Sequence, residues 1–350
     1  MPLSRRRFAH GLGAALAAPA WLHPALSPAA HAQSNPPANP AAPAAPAAGG
    51  CRGGGPPITF VVPFAPGGIA DITARPLAIP LARELGQSVV IDNRPGAGGA
   101  VGMAHVTRQR PDGNTLLMAL SSIVVIPEAD KVSGKPPSYA MSQFTPIALV
   151  SADPTVLAVR SNSPWRSIQD LVRDAKSRPG KISFSSSGIY GTTHVAQAML
   201  WQAAGIDMLH VPYNGGGPAM NALLGGQVDV TAQAPGVLAP HVKAGTIRLL
   251  GGWGARRLDL LPDVPTFKEL GFDVEFYIWS GVFAPAGLAP AKLEQLRTAV
   301  RRSVQDPGFL QAMGAMNTPV RHMEGAEFDR FIEQDAARMA RVVKAMGKLE

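Results

Sequence analysis

The chain has 350 residues, of which 46% are apolar, 16% charged and 6% aromatic. This length is enough for two domains with cores of their own, and the apolar fraction excludes a wholly disordered protein. The formal net charge is +8, but Arg5, Arg6 and Arg7 contribute three of those charges at one end of the chain. The remaining excess is spread without blocks, so the charge gives little support to nucleic-acid binding, and no nucleic acid is predicted as a partner.

The first 32 residues have the pattern of an export signal. Arg5, Arg6 and Arg7 are followed by an alanine-rich apolar run, and Ala30-His31-Ala32 supplies a cleavage site. The segment Ser4–Phe8 also fits the twin-arginine variant, so both export routes stay open. A membrane anchor is the alternative, but prolines interrupt the apolar run too early for a stable span. We therefore predict a periplasmic protein that is cleaved after Ala32.

Residues 33–57 are almost all Pro, Ala, Asn and Gly. Such a composition cannot bury a core, so the segment is predicted to be a disordered linker. The chain has a single cysteine, Cys51, so an internal disulfide is excluded. This cysteine lies in the linker. It is too far from the apolar run to suggest a lipoprotein, and no histidine stands near it to suggest a thiol nucleophile.

From Ile58 onward, short apolar runs alternate with helical periods. Strands are predicted at Ile58–Pro63, Ser88–Asp92, Thr115–Leu120, Ile147–Val150, Val156–Val159, Ile182–Ser185, Leu209–Val211, Val228–Ala232, Ile247–Gly251 and Val282–Ala284. Helices are predicted at Ile72–Leu85, Ser167–Lys176, Thr192–Ala204, Pro218–Leu224, Pro290–Gln305 and Glu324–Lys344. The alternation predicts an α/β protein with two parallel sheets that carry helices on both faces.

Two strand-to-helix loops have the composition of an anion site. In Val61–Asp71, a buried strand leads through Gly67 and Gly68 into a helix, where backbone N–H groups and the helix N-terminus favour negative charge. A tight turn whose glycines only relieve strain explains this loop equally well. In Ile182–His194, six Ser and Thr residues crowd one helix start, although N-capping needs only one. Because ligands in open α/β sheets lie beyond the carboxyl ends of strands, the two loops are expected to face each other across a cleft.

Enzyme motifs are missing from the sequence. The segment Gly96–Gly102 lacks the G-x-G-x-x-G spacing of a dinucleotide site, and neither a P-loop nor a G-x-S-x-G elbow is present. The histidines beyond the export signal do not have metal-ligand spacing. We therefore predict no catalytic residue, no metal site and no cofactor.

An ordered series of motifs resembles the Bug-type periplasmic solute receptors, the substrate-binding subunits of tripartite tricarboxylate transporters. These motifs are Val62–Gly68 with Asp71 and Arg75, Asn93–Gly99, Pro111–Gly113, Ser186–Gly188 with His194, Val211–Tyr213, Gly225–Asp229 and Leu261–Thr266. The resemblance covers residues 58–346 in order and with similar spacing.

The resemblance implies a two-lobed periplasmic binding protein (Venus flytrap) whose α/β lobes are joined by crossing strands. With crossings near Thr155–Arg160 and Ser280–Pro285, the first lobe is 58–155 plus 285–350 and the second is 156–284. Such receptors are not enzymes, and they bind small carboxylates through backbone amides and ordered waters. The implied partners are a small carboxylate and the membrane subunits of the transporter, and the protein itself is expected to be a monomer.

The predicted ligand-binding residues lie in the two loops and the matching motifs, apart from Ser121 and Gln233, which directly follow predicted strands. They are Phe64, Pro66, Gly67, Gly68, Asp71, Ser121, Ser186, Ser187, Gly188, Tyr190, Thr192, Thr193, His194, Tyr213 and Gln233.

The chain departs from the family pattern at several positions near these loops. Family members often carry Lys at the position of Asn214, Tyr at that of Asn114, and small polar residues at those of Ile189 and Tyr190. The bulk of the last pair predicts a smaller distal pocket or one that suits an apolar or aromatic acid, and Pro127–Thr145 departs at one rim of the cleft. Two alternatives stay open: a ligand-sensing receptor for a signalling partner and a periplasmic enzyme on the same scaffold.

Overall fold

The computed structural model describes residues 55–348. The predicted export signal and nearly all of the predicted linker lie outside the described residues. Within the described residues, helices and strands alternate as expected. The helices are α1 (Ile69–Leu85), α2 (Ala100–Val106), α3 (Ser122–Val132), α4 (Ile168–Ser177), α5 (Thr192–Ala204), α6 (Gly216–Leu224), α7 (Pro235–Lys243), α8 (Pro290–Val304), α9 (Pro307–Ala315) and α10 (Gly325–Met346).

The first lobe is built on a six-stranded sheet. Its strands are β1 (Ile58–Val62), β2 (Val89–Asn93), β3 (Thr115–Leu120), β4 (Phe144–Pro154), β10 (Tyr277–Pro285) and β11 (Val320–Glu324). The spatial order is β11-β4-β10-β3-β1-β2. Strand β1 pairs in parallel with β2 and β3, whereas β10 is antiparallel to both β3 and β4, and β11 is antiparallel to β4.

The second lobe is built on a five-stranded sheet. Its strands are β5 (Val156–Arg160), β6 (Ser183–Ser186), β7 (Leu209–Pro212), β8 (Val230–Gln233) and β9 (Ile247–Gly252), in the order β7-β6-β8-β5-β9. Strand β6 is parallel to β7 and β8, whereas β5 is antiparallel to β8 and β9.

The predicted two-lobed fold with two sheets and flanking helices is confirmed, but the sheets are mixed and not purely parallel. Strands β5 and β10, which enter their sheets from the other lobe, run opposite to the parallel strands of those sheets. The parallel strands end at the edge that faces the other lobe, so a strand that enters the sheet at that edge runs in the opposite direction. Alternation of strands and helices alone does not reveal this.

The two sheets are joined by short, buried crossings. Only Thr155 separates β4 from β5, and its N–H donates to the carbonyl oxygen of Phe276 at 3.4 Å. Because β10 pairs with β4 from Tyr277 onward and with β3 from Ser280 onward, the return crossing lies just before Tyr277 and not at Ser280–Pro285. The side chain of Asp153, beside the crossing, is fully buried, and burial raises its pKa to about 8.

Helix α10 closes the first lobe. Its buried residues, Phe328, Ile332, Asp335, Met339 and Val343, recur at helical spacing and form one face. The one acidic member of that face has polar partners, since Asp335 accepts from the indole N–H of Trp279 at 2.7 Å and pairs with Arg338 at 2.7 Å. Within residues 55–348, no helix combines the length and the apolar character that a membrane span requires.

Candidate functional site

A small cavity lies between the lobes, where several strands of both sheets end. Its volume is about 10 Å³. The first lobe contributes residues that follow β1 or end β3, and the second contributes residues that follow β6 and β7 or end β8. The lining residues are Phe64, Gly68, Ile69, Ala70, Leu120, Ser187, Thr192, Thr193, Gly216, Gln233 and Ile278. This is the carboxyl edge of the parallel strands, where open α/β sheets bind ligands.

The first cleft loop, Phe64–Gly68, leads from β1 into α1. Gly67 has φ +86°, the left-handed conformation that a glycine adopts without strain, whereas Gly68 has φ −85° and extended geometry. Gly68 is the residue before the helix, so the first-turn N–H groups of α1 begin at the cavity. The loop therefore needs one left-handed glycine, at Gly67.

Asp71 holds this loop from behind. Its carboxylate accepts from the N–H of Gly67 at 3.0 Å, from Arg75 at 2.8 and 2.9 Å, and from the amide of Asn93 at 3.0 Å. Burial opposes ionisation, but the hydrogen bonds from Arg75, Asn93 and Gly67 outweigh it and lower the pKa of Asp71. The side chain does not line the interlobe cavity. Asp71 therefore positions the first cleft loop through its hydrogen bond to Gly67.

The second cleft loop, Ser186–Gly191, leads from β6 into α5. The backbone N–H of Ser187 donates to the hydroxyl of Thr193 at 2.8 Å, and that hydroxyl donates to the Ser187 hydroxyl at 3.1 Å. The hydroxyl of Ser186 accepts from the N–H of Gly188 at 3.2 Å and lies 2.6 Å from Nε2 of His210. The many hydroxyls of this loop thus bond to one another and to its backbone, and they leave Ser187, Thr192 and Thr193 at the cavity.

A stack of aromatic rings supports the second loop. The rings of His194 and His210 are parallel with centroids 3.8 Å apart, and Phe184 stacks on His210 at 4.9 Å. Nδ1 of His194 accepts from the N–H of Tyr190 at 3.0 Å, which stabilises a tyrosine held at φ +55°. Burial lowers the pKa of His194 to about 3 and that of His210 to about 4, so both rings are neutral at ordinary pH.

The other predicted ligand residues lie around the small cavity without lining it. Pro66 and Gly67 line a 660 Å³ cavity on the outer side of the cleft, together with residues of α6, α7 and the end of α9. Gly188, Tyr190 and Tyr213 line a 530 Å³ cavity at another mouth, which Ile189 and residues of Pro127–Thr145 also border. The bulky residues that depart from the family pattern therefore shape a mouth of the cleft and not its centre.

Ser121 and Gln233 lie at the ends of parallel strands, as expected. Ser121 is buried beside Leu120, and its hydroxyl has no hydrogen-bond partner among the described residues. Gln233 lines the cavity, and its amide donates to the carbonyl oxygen of Gly216 at 3.1 Å. His194 and Ser186, in contrast, stand behind the loop that they support.

Sequence reasoning missed five of the lining residues: Ile69, Ala70, Leu120, Gly216 and Ile278. The position of Gly216 could have been predicted, because Gly215-Gly216-Gly217 lies between a predicted strand and a predicted helix, as Gly67-Gly68 does. Ile69 and Ala70 simply continue the first loop. Ile278 had no such signal, because tertiary pairing of β10 brings it to the cavity.

The chemistry of the cavity is neutral and rich in donors. None of the residues that line it carries a charged side chain. Helices α1, α5 and α6 all begin at it, and a helix N-terminus offers N–H groups and partial positive charge. In the part of the chain that the structure describes, no group of three or more His, Cys, Asp or Glu residues is placed to hold a metal ion. The arrangement suits an anion that is bound by N–H and O–H donors.

Comparisons with known proteins match most of the chain. Residues 73–348 match the model of the TctC family, described as the tripartite tricarboxylate transporter family receptor. A protein encoded in the tcbD-tcbE intergenic region of Pseudomonas sp. (strain P51) is 37% identical over 73% of this chain and 76% of its own length. Protein BugT of Bordetella pertussis is 32% identical over 83% of this chain and 89% of its own length.

Solved structures extend the likeness to three dimensions. The periplasmic binding protein BugD superposes with a TM-score of 0.79 at 32% identity, over 83% of this chain and 97% of its own. MatC from Rhodopseudomonas palustris, solved with malate, gives a TM-score of 0.76 at 27% identity over 82% of this chain and 98% of its own. Rpa4515 of R. palustris, solved with adipate, gives 0.76 at 28% identity over 83% and 97%.

These findings confirm the resemblance drawn from the motifs. The family and its structural neighbours are binding proteins and not enzymes. The chain belongs to the tripartite tricarboxylate transporter receptor family, TctC, and is a two-lobed solute-binding protein of the Bug type.

Proposed function

We propose that the protein captures a small carboxylate between its lobes, in the cavity bounded by Phe64–Gly68 and Ser186–Thr193. The observation that carries this proposal is the meeting of three helix N-termini, those of α1, α5 and α6, at one cavity without a charged side chain. Each N-terminus favours an anion, and the absence of acidic side chains from the lining leaves nothing to repel it. Relatives solved with malate and with adipate support the same ligand class.

The predicted site residues divide into two roles under this proposal. Gly68, Ser187, Thr192, Thr193 and Gln233 contact the ligand, since they line the cavity. Asp71, Ser186 and His194 position the loops, since their polar atoms bond to loop backbone or to one another. Phe64 and Ile278 supply apolar walls for the carbon skeleton of the ligand.

Export and delivery follow from the family and from the first residues of the chain. We propose that the chain is exported, is cleaved after Ala32 and works in the periplasm as a monomer. There the closed, loaded receptor delivers its carboxylate to the membrane subunits of a tripartite tricarboxylate transporter. The support is the family of the chain and the likeness to a periplasmic binding protein.

A ligand panel tests the carboxylate assignment. Thermal unfolding of the purified protein is measured with mono-, di- and tricarboxylates, including malate and adipate, and with the methyl ester of each acid as its matched control. A ligand at one hundred times its Kd stabilises the folded state by about 2.7 kcal/mol, which shifts the melting temperature measurably. We expect at least one acid to stabilise the protein while its ester does not. Stabilisation by esters, sugars or phosphates in place of acids contradicts the proposal.

A further inference from the structure

The two lobes meet backbone to backbone at a seam that consists of Phe64–Gly68 in the first lobe and Asn214–Gly217 in the second. The N–H of Ala65 donates to the carbonyl oxygen of Asn214 across the seam at 2.8 Å. A Cβ on Gly68 would lie 3.1 Å from the nitrogen of Gly216, and one on Gly215 would lie 3.0 Å from the nitrogen of Ala65. The lobes therefore approach as closely as they do because Gly68, Gly215 and Gly217 have no side chains at these contacts.

Gly217 is the tightest point of the seam. A Cβ at this position would overlap the carbonyl oxygen of Pro66 in the opposite lobe and would come within 3.2 Å of Gly67. Both of those contacts are backbone atoms, so a rotamer change cannot relieve them. Gly217 is buried inside helix α6, and its conformation is not the left-handed one that requires glycine.

The position of Gly217 separates closure from ligand contact. The residue lines the outer cavity with Pro66 and Gly67, whereas its neighbour Gly216 lines the small interlobe cavity. A methyl group on Gly217 would therefore push the lobes apart without entering the space between Gly68, Ser187 and Gln233.

The seam also limits what the closed lobes can enclose. The interlobe cavity has a volume of about 10 Å³ in this arrangement, which is close to the space that one water molecule needs. A carboxylate is larger than this space, so any bound acid holds the lobes further apart, and a longer acid holds them further apart than a short one. The closest approach that the seam permits therefore determines how short a ligand can be and still contact both lobes.

We infer that Gly217 is a specificity-determining residue, which sets the closed separation of the lobes and thereby favours short carboxylates over long ones. This inference rests on the proposed function, since it assigns a size limit to the same site. It predicts that a side chain at Gly217 widens the closed form and shifts preference toward longer acids.

The test compares Gly217→Ala with the unmodified protein and with Gly314→Ala. Gly314 is also a helical glycine, but a Cβ there meets nothing within 4 Å, so it serves as the matched control. Malate and adipate are the probes in calorimetry. We expect the ratio of adipate affinity to malate affinity to rise at least tenfold in Gly217→Ala and to stay unchanged in Gly314→Ala.

Distance measurements give a readout that does not depend on affinity. Spin labels replace the exposed side chains of Ile79 in the first lobe and Leu209 in the second, after Cys51→Ser removes the native thiol. Relief of the overlap needs the lobes to part by about 1 Å, so the shortest distance in the distribution lengthens in Gly217→Ala. An unchanged distance overturns the inference, even where the affinity ratio has moved.

A double variant removes a local explanation. Residues before a proline resist helical geometry, so Gly217→Ala also strains the bond to Pro218. In a Pro218→Ala background that strain is gone, whereas the overlap with Pro66 persists. We expect the ratio and the distance to shift in both backgrounds, and a shift that disappears with Pro218→Ala overturns the inference. If the unmodified protein binds no acid of the panel, the proposed function fails. The distances between the spin labels without ligand still decide whether Gly217 limits closure.

Discussion

The two loops that face each other in the cleft are held in place by opposite means. The first depends on a charge: Asp71, with only 4% of its side chain exposed, binds the N–H of Gly67 and pairs with Arg75, which is 52% exposed. The second depends on neutral groups, namely hydroxyls and the stacked rings of His194 and His210. The first loop can hold the carboxylate of Asp71 because its partner, Arg75, is hydrated and keeps the cost of burying the pair low. The second loop is buried, and an unpaired charge there would be costly, so its supporting groups are neutral.

Both solutions keep charged side chains out of the ligand cavity. The carboxylate of Asp71 points to the rear of the first loop, and the imidazoles support the rear of the second. Under the proposed function, an entering anion meets backbone N–H groups, hydroxyls and the amide of Gln233. Recognition of this kind depends on the position of the donors more than on side-chain charge, so the two loops must be fixed firmly.

The largest effect is expected from a charge placed in the neutral loop. Ser187→Asp brings a carboxylate into a cavity of about 10 Å³. Two like charges about 4 Å apart repel by roughly 4 kcal/mol at an effective dielectric constant near 20, which weakens carboxylate binding about a thousandfold. The loop itself should persist, because an aspartate oxygen accepts from Thr193 as the serine hydroxyl does. Calorimetry with the tightest-binding acid of the panel measures the change.

Ser187→Asn is the control for that change. It has the same size and shape as Ser187→Asp but carries no charge, so it isolates the electrostatic part of the effect. We expect Ser187→Asn to lose about tenfold in affinity or less. Equal losses in the two variants would show that bulk, and not charge, disturbs the site.

A smaller effect is expected when the charge is removed from the first loop. Asp71→Asn leaves Arg75 and the N–H of Gly67 without a charged acceptor. Hydrogen bonds to charged groups contribute about 1.5–3 kcal/mol each, so we expect the free energy of unfolding to fall by about 2–3 kcal/mol. Urea unfolding at pH 7 measures this loss.

Glu128→Gln provides the comparison for Asp71→Asn. Glu128 pairs with Lys131 one helical turn away, but their side chains are 31% and 58% exposed. Exposed pairs contribute at most about 1 kcal/mol, so Glu128→Gln should change stability little. Equal, small losses in both variants would mean that Asp71 is an ordinary surface charge.

The alternation of strands with helices and the positions of both cleft loops could be predicted from the residues because their signals are local, whereas the two-lobed arrangement was implied by the family resemblance. Glycines after a buried strand and hydroxyls at a helix start are visible without tertiary information, and helix α5 has the predicted bounds, Thr192–Ala204. The role of His194 was not visible, because its distance to His210 depends on the pairing of β6 with β7. The sequence shows which residues can meet an anion, but tertiary pairing decides which of them line the cavity and which support it.

Weak local signals explain the elements that were missed. Strand β11 has few apolar residues, and it pairs only with the edge of β4. Helices α3 and α7 contain Pro127 and Pro240, which argue against a helix in sequence reasoning. Strand β10 is predicted to have three residues but spans Tyr277–Pro285, because Ser280 and Gly281 at its centre interrupt the apolar run. In each case packing against the rest of the lobe overrides the local preference.

The smallest expected effect is that of pH on affinity, and it follows from the neutrality of the second loop. Between pH 5 and 7, His194 and His210 are uncharged, since burial lowers their pKa values to about 3 and about 4. Asp71 is ionised in the same range because its pKa is lowered, and Asp153 at the crossing is protonated because its pKa is about 8. None of these four groups changes charge between pH 5 and 7, so the affinity for an acid that is fully ionised above pH 5 should vary by no more than about twofold.

Stability should respond to pH over the same range even though affinity does not. The folded-state pKa values of His194 and His210 lie below the ordinary 6.5, so the unfolded state binds more protons and their contribution to stability is lost as pH falls below 6.5. Asp153 acts in the opposite direction, because its raised pKa makes the folded state gain stability as pH falls from 8. Asp153→Asn removes the contribution of Asp153, so only the loss of stability caused by the two histidines should remain as pH falls.

Calorimetry at pH 5, 6 and 7 measures the affinity, and thermal unfolding at the same pH values measures the stability. A tenfold gain in affinity at pH 5 would mean that a histidine becomes charged beside the ligand, and the contrast between a charged first loop and a neutral second loop would then be wrong.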